Sequence, residues 1–226
     1  MSRRRVSNPL ALAVLSCLIE RPMHPYEIST TLRTRGKEQS IKLNYGSLYS
    51  VVEALQKHGL IEAHATTREG RRPERTVYSI TEPGRAEFED WMAELLSTPV
   101  REFTSLEAGL SLMPGIEPDE VARLLEERTE KLRIELRAID AAHSVATDMD
   151  LPELFLIESR YRQAMLGAEL DFVAELAQGI RSSSFPGTKL WRKLHELVGQ
   201  GVSFEQIAAD PVGHLGEEGR ILQPRQ

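Results

Sequence analysis

NYGSLYSVVEALQKHGLIEAHATTREGRRPERTVYSIT, residues 44–81, switches its hydrophobic period once along its length, and that switch decides the fold. Up to Gly59 the apolar residues Leu48, Val51, Val52 and Leu55 recur at helical spacing. Asn44 is a good N-cap for such a helix, and Gly59 a good residue just past its end. The opposite face carries Gly46, Ser47, Ser50, Glu53 and Lys57. From Ile61 to Thr67 and from Arg75 to Ile80 the period falls to that of strands. Between them Glu69-Gly70-Arg71-Arg72-Pro73-Glu74 forms a turn-rich tip, with Arg68, Arg71, Arg72 and Arg75 on or near it.

Two further helices precede this stretch. Residues 9–21 follow Asn8 as N-cap, place Pro9 at the first helical position and line up Leu10, Val14, Leu15 and Leu18. Arg21-Pro22 ends that helix, because a residue before proline is pushed out of the α region. A second helix over 25–33 has Tyr26, Ile28 and Leu32 as its apolar members. Three helices followed at once by a basic hairpin outline a winged helix-turn-helix. Small hydroxyl-bearing residues on the third helix let its backbone approach a groove floor. Tyr45 and Tyr49 flank that face and can bond phosphate or stack on sugar. The helix N-terminus favours phosphate through its free N–H groups and dipole. A basic hairpin beside it can straddle the backbone and place an arginine in the neighbouring minor groove. The expected partner is double-stranded DNA, and the candidate DNA-binding residues are Lys42, Tyr45, Ser47, Tyr49, Ser50, Arg71, Arg72 and Arg75.

The net charge of −6 argues against this reading only until it is divided. Residues 1–80 hold 13 of the 28 Lys+Arg but 7 of the 34 Asp+Glu, a surplus of +6. The other 15 and 27 give residues 81–226 a charge of −12. A basic first third is drawn to phosphate, and the acidic remainder is turned away from it.

Three stretches carry a family resemblance: HPYEI at 24–28, YGSLYSVVEALQKHGLI at 45–61 and GRRPERTVYSIT at 70–81. With these the chain resembles the PadR-type transcriptional regulators, in the branch with the longer helical C-terminal domain. The resemblance implies a homodimer on a pseudo-palindromic operator, usually repressing a neighbouring gene until a small molecule or stress signal releases it. It puts Tyr45, Ser47, Tyr49 and Ser50 at recognition-helix positions and Arg71, Arg72 and Arg75 on the wing. Pro25 stands where the family often has Gly, Ser50 where it often has Pro, and Thr76 where Lys or Arg is frequent.

Thr81-Glu82-Pro83-Gly84 opens a fourth helix with Phe88, Trp91, Met92 and Leu95 on one face. Two roles are open to Trp91 and Phe88: an effector gap or dimer interface, as the resemblance implies, or an anchor in the core. Two long helices come next, over 118–145 and 152–180. The first lines up Val121, Leu125, Leu132, Leu136 and Ile139; the second lines up Leu154, Ile157, Tyr161, Met165, Ala168, Phe172, Val173 and Leu176. Such seams are buried against each other and against a partner chain. After Gly179, short helices are expected at 188–198 and 203–209, with a mobile Gly- and Pro-rich tail beyond. The fold class is therefore mainly α with a small β-hairpin wing: an N-terminal winged helix-turn-helix plus a C-terminal long-helix dimerisation domain. Its divisions are 1–97, 98–182 and a C-terminal extension over 183–226.

Catalytic chemistry finds no foothold. The six histidines are scattered, none at the i, i+4 spacing of a helical metal pair, and one cysteine completes no zinc motif. There is no G-x-S-x-G and no Walker A loop, so neither an enzyme nor a metal or other cofactor is expected. The start, MSRRRVSNPLALAVLSCLIERP, mimics a secretory signal, but it ends in Glu20-Arg21-Pro22 without a small-x-small cleavage site. No apolar run reaches the roughly 18 residues needed to span a bilayer. A cytoplasmic chain with a buried Cys17 and no membrane partner is expected. The alternative to a DNA-binding regulator is a winged-helix adaptor that binds another protein.

Overall fold

The computed structural model describes residues 8–41, 44–67 and 75–222. They belong to two compact units, Met1–Arg101 and Glu102–Gln226.

In the first unit, helices α1 (Pro9–Glu20), α2 (Pro25–Thr34) and α3 (Tyr45–Lys57) precede strands β1 (Ile61–Thr67) and β2 (Arg75–Ile80), and α4 (Glu82–Ser97) closes it. The caps come from the residues read for that purpose. Asn8 accepts from the Leu10 N–H and Asn44 from the Gly46 N–H, each at 2.9 Å. Helix α1 is buried beyond its expected stripe. Ala11, Ala13 and Cys17 are as enclosed as Leu10, Val14, Leu15 and Leu18, because α2, α3, α4 and β2 all pack around it. Burial pushes the Cys17 thiol up to about 11, so it stays protonated and inert.

Strands β1 and β2 pair antiparallel with Ile61 opposite Ile80 and a bulge between Ala63 and Ala65. Met23, between α1 and α2, exchanges both backbone hydrogen bonds with Tyr78 at 3.0 Å. The far edge of β2 is thereby partly paired, a contact that no local pattern announces. One expectation changes in this unit. Tyr26, read as an inward member of α2, is 57% exposed, while Ile28 and Leu32 turn to the core. Trp91 is 5% exposed inside that same core, with Phe88 packed at its edge.

The second unit contains α5 (Ser105–Leu112), a 3-10 turn (Met113–Gly115), α6 (Pro118–Asp148) and α7 (Ile157–Ser182). Then come α8 (Thr188–Gly199), α9 (Phe204–Ala209), α10 (Pro211–Leu215) and a 3-10 stretch, Gly216–Leu222, where a mobile tail was expected. Helices α6 and α7 run antiparallel, as their polar ladder shows. Glu126 meets Arg181, Glu135 meets Arg162, and His143 meets Ser159. Val121, Ala122, Leu125 and Leu132 of α6 bury against Val173, Leu176, Ala177 and Ile180 of α7. The α7 seam read from sequence is thus two faces. Only its Val173 and Leu176 end lies in the core; Ile157, Tyr161, Met165, Ala168 and Phe172 are exposed, as is Leu154 ahead of the helix. The inward face is completed by Leu166 and Leu170.

Among the described residues, no helix is long and apolar enough to cross a membrane, and no group of three or more His, Cys, Asp or Glu is placed to hold a metal ion.

Candidate nucleic-acid interface

Helix α3 divides cleanly. Leu48, Val51, Val52 and Leu55 are buried, whereas Gly46, Ser47, Tyr49, Ser50, Glu53 and Lys57 are exposed. The exposed side begins with residues that add almost nothing to the helix radius. Ser50 turns its hydroxyl back to donate to the Gly46 carbonyl at 3.1 Å, which keeps the surface low. With Asn44 capping its N-terminus, α3 offers a groove-sized cylinder whose first two turns carry two serines and one glycine.

The chain beyond α3 is tied tightly to it. Gly59 takes a φ of 71°, and the Leu60 N–H bonds the Leu55 carbonyl at 3.0 Å, ending the helix and starting β1 within three residues. The Thr81 hydroxyl donates to the Gly59 carbonyl at 2.7 Å and accepts from the Gly84 N–H at 3.2 Å. One side chain thus links the end of α3, the end of β2 and the start of α4. The hairpin leaves α3 from a braced base.

Of the candidate residues, Ser47, Tyr49 and Ser50 are brought together on this exposed face. Tyr45 opens α3 and Arg75 opens β2, both placed here by their backbone alone. Lys42, Arg71 and Arg72 lie outside the described residues. Charge in the unit is distributed unevenly. Arg21, Arg33 and Arg35 are each held by a carboxylate, of Glu27, Glu38 and Glu20 respectively. Arg35 makes the strongest pair, a two-pronged bond to Glu20 that holds the Glu20 carboxyl below its ordinary range. These three cations are internally matched, so the positive surplus of residues 1–80 falls elsewhere in the sequence, on Arg3, Arg4, Arg5, Lys37, Lys42, Lys57 and the arginines of 68–75.

Tyr26 is the surface residue that the sequence reading missed. It shares an exposed stripe of α2 with Thr30 and Arg33, and the Thr30 hydroxyl bonds the Tyr26 carbonyl at 3.0 Å. The i, i+4, i+7 spacing of those three was available in the sequence. An aromatic at a helical position was instead read as core.

A helix-turn-helix whose third helix runs directly into an antiparallel hairpin is a winged helix-turn-helix. Residues 14–90 match the family model of the transcriptional regulator PadR-like family, and the helices α5 to α10 lie C-terminal to the matched residues.

Solved structures agree on the fold. Bacillus subtilis PadR in complex with operator DNA is 15% identical, with a TM-score of 0.61, over 76% of this chain and 98% of that one. The Vibrio cholerae virulence activator AphA is 17% identical, with a TM-score of 0.57, over 77% and 99%. B. subtilis PadR in complex with p-coumaric acid is 13% identical, with a TM-score of 0.57, over 76% and 97%. No curated protein matches the chain.

Proposed function

We propose that this protein is a sequence-specific DNA-binding transcriptional repressor that acts as a homodimer on a pseudo-palindromic operator and is released by a signal. The observation that carries the reading is the exposed, low-relief face of α3, with Ser47 and Ser50 outward and four large apolar residues inward, running straight into a braced hairpin. Arg71, Arg72 and Arg75 belong to that hairpin by sequence and supply phosphate contacts. B. subtilis PadR, whose fold this chain shares, has been solved on operator DNA and with p-coumaric acid. Release by a small molecule is the corresponding proposal here.

The homodimer is supported by the outer face of α7. Ile157, Tyr161, Met165 and Phe172 recur at steps of four, four and seven, each more than half exposed. Burying a large apolar side chain is worth roughly 1.5–3 kcal/mol, so a continuous row of them favours a second copy of the same helix over water. A two-fold axis also presents two α3 helices to successive turns of a DNA groove. In this reading residues 1–97 bind DNA, 98–182 dimerise and 183–226 form a C-terminal extension.

The deciding experiment is a fluorescence-anisotropy titration of the full chain with DNA from its own upstream promoter, repeated across salt concentrations. Saturable binding that weakens steeply with salt supports the regulator. Absent or salt-indifferent binding removes it and leaves the protein-binding adaptor.

A further inference from the structure

Between α5, the 3-10 turn and α6 lies a groove of about 440 Å³, a volume typical of small-molecule sites. Leu110, Met113, Ile116 and Leu125 form its apolar walls. Two features suit it to a ligand. The first is Gly109, which lines the groove from the interior of α5. A Cβ there would meet nothing within 4 Å, and the residue has no positive φ to require glycine. A mid-helix glycine weakens its helix relative to alanine. Here its consequence is open space in the groove wall.

The second feature is the polar edge. The charged lining residues are Glu127, Arg128 and Lys131, all contributed by α6. Arg128 is positioned by Glu169 of α7 at 2.6 Å. Lys131 pairs with Glu127 at 2.7 Å across one turn, on the surface. Such an exposed i, i+4 pair is weak, so an incoming anion can replace Glu127 at small cost. With Glu127 displaced, two cations at one lip of a groove whose other walls are apolar, in a stretch of chain whose net charge is −12, match an anionic group on an apolar body.

Helix α8 holds the far wall open. The Trp191 indole N–H donates to the carbonyls of Pro114 at 3.1 Å and Ile116 at 2.9 Å, and His195 Nε2 bonds the Pro114 carbonyl at 2.9 Å. Arg192 bonds the Ile180 carbonyl of α7 at 2.9 Å and also reaches Asp119 at the start of α6. The 3-10 wall is therefore anchored from behind.

We propose that the α5–α6 groove of the C-terminal unit binds a small, predominantly apolar molecule bearing one carboxylate or sulfonate, its anionic end held by Lys131 and Arg128. This site stands on the second unit alone and does not require the DNA-binding reading.

Two probes test it on the full chain: 8-anilinonaphthalene-1-sulfonate and its neutral counterpart N-phenyl-1-naphthylamine. The wild-type protein is expected to bind both saturably, at one equivalent site per chain. Gly109→Leu fills the groove while favouring the helix, and it should weaken both probes by at least roughly tenfold. Lys131→Gln should weaken the sulfonate roughly tenfold and leave the neutral probe unchanged. Circular dichroism and thermal melting verify that each variant is folded. Non-saturable binding, or binding indifferent to Gly109→Leu, overturns the proposal. So does a Gly109→Leu chain that loses self-association in sedimentation while binding the sulfonate as before, because the groove is then covered by a second copy. None of these readouts involves DNA.

Discussion

The backbone of Gly84 lies so close to Leu60 that a Cβ on the glycine would stand 2.0 Å from the leucine carbonyl oxygen. The same Cβ would sit 2.9 Å from Ile80 Cγ1. Gly84 is buried in the first turn of α4, and its N–H is bonded by Thr81. This closeness lets α4 begin directly behind the base of the hairpin. Gly84→Ala must push backbone against backbone, and overpacking of that kind costs about 1–3 kcal/mol. Urea unfolding of the variant should show that loss with an unchanged m-value. A neutral Gly84→Ala would mean the closeness is not structural.

On α3, Ser47→Ala and Ser50→Ala remove exposed hydroxyls and leave no buried group unsatisfied. Stability should stay within about 0.5 kcal/mol of wild type. The order of preference among operator variants should change nonetheless, because these positions face the base edges in the proposed complex. A selection from randomised DNA checks this, and an unaltered preferred sequence would remove both serines from base reading.

Arg71→Ala combined with Arg72→Ala addresses the wing. Binding should weaken by a similar factor on specific and non-specific DNA. The slope of log K against log salt should fall in magnitude by about 0.9 for each phosphate that the variant no longer neutralises. A change confined to the specific site would instead assign the pair to base recognition.

Tyr161→Glu places a carboxylate in the middle of the exposed α7 row, away from the inward core. If that row is the dimer contact, both copies bury an uncompensated charge. Self-association should weaken by about two orders of magnitude, close to 2.7 kcal/mol. Analytical ultracentrifugation reads this directly, and a variant that remains fully dimeric places the interface elsewhere.

Acid should loosen the second unit through Asp119. The Arg192 hydrogen bond holds its carboxyl below the ordinary range, helped by the charges of Arg192 and Arg181 and opposed by desolvation. A carboxyl whose folded pKa is depressed contributes stability above its unfolded value of about 3.9. That stability is lost as pH falls through the folded value. Glu126, held down by Arg181, follows the same sign. Both groups are nearly half exposed, so solvent screening keeps the effect modest. The urea midpoint should therefore drop between about pH 5 and pH 2, and Asp119→Asn should flatten part of that slope. An equal slope in the variant would assign the acid sensitivity to other carboxylates.

Much of the candidate interface was legible in the chain's local pattern. Asn44, Leu48, Val51, Val52, Leu55 and Gly59 specify the ends and buried face of α3 within sixteen residues of chain. The strand limits Ile61–Thr67 and Arg75–Ile80 came from the same source. Misreadings occurred where a residue's fate depends on distant partners. Tyr26 is as aromatic as any core residue, yet the turn of α2 points it outward. Trp91 could not be assigned because the core that encloses it is built from helices far from position 91 in the chain.

The amino-acid sequence alone determined the nature of each element: its period, its caps and the sign of its charge, all set by neighbours within one or two turns. Tertiary structure decided what each element meets. It paired Met23 with Tyr78, split the α7 row into an inward and an outward face, and set Trp191 on the carbonyls of Pro114 and Ile116, some 75 residues earlier. Periodicity reports that a face is apolar, but only chain closure selects which surface covers it, because burial free energy is non-directional and rewards any apolar partner within reach.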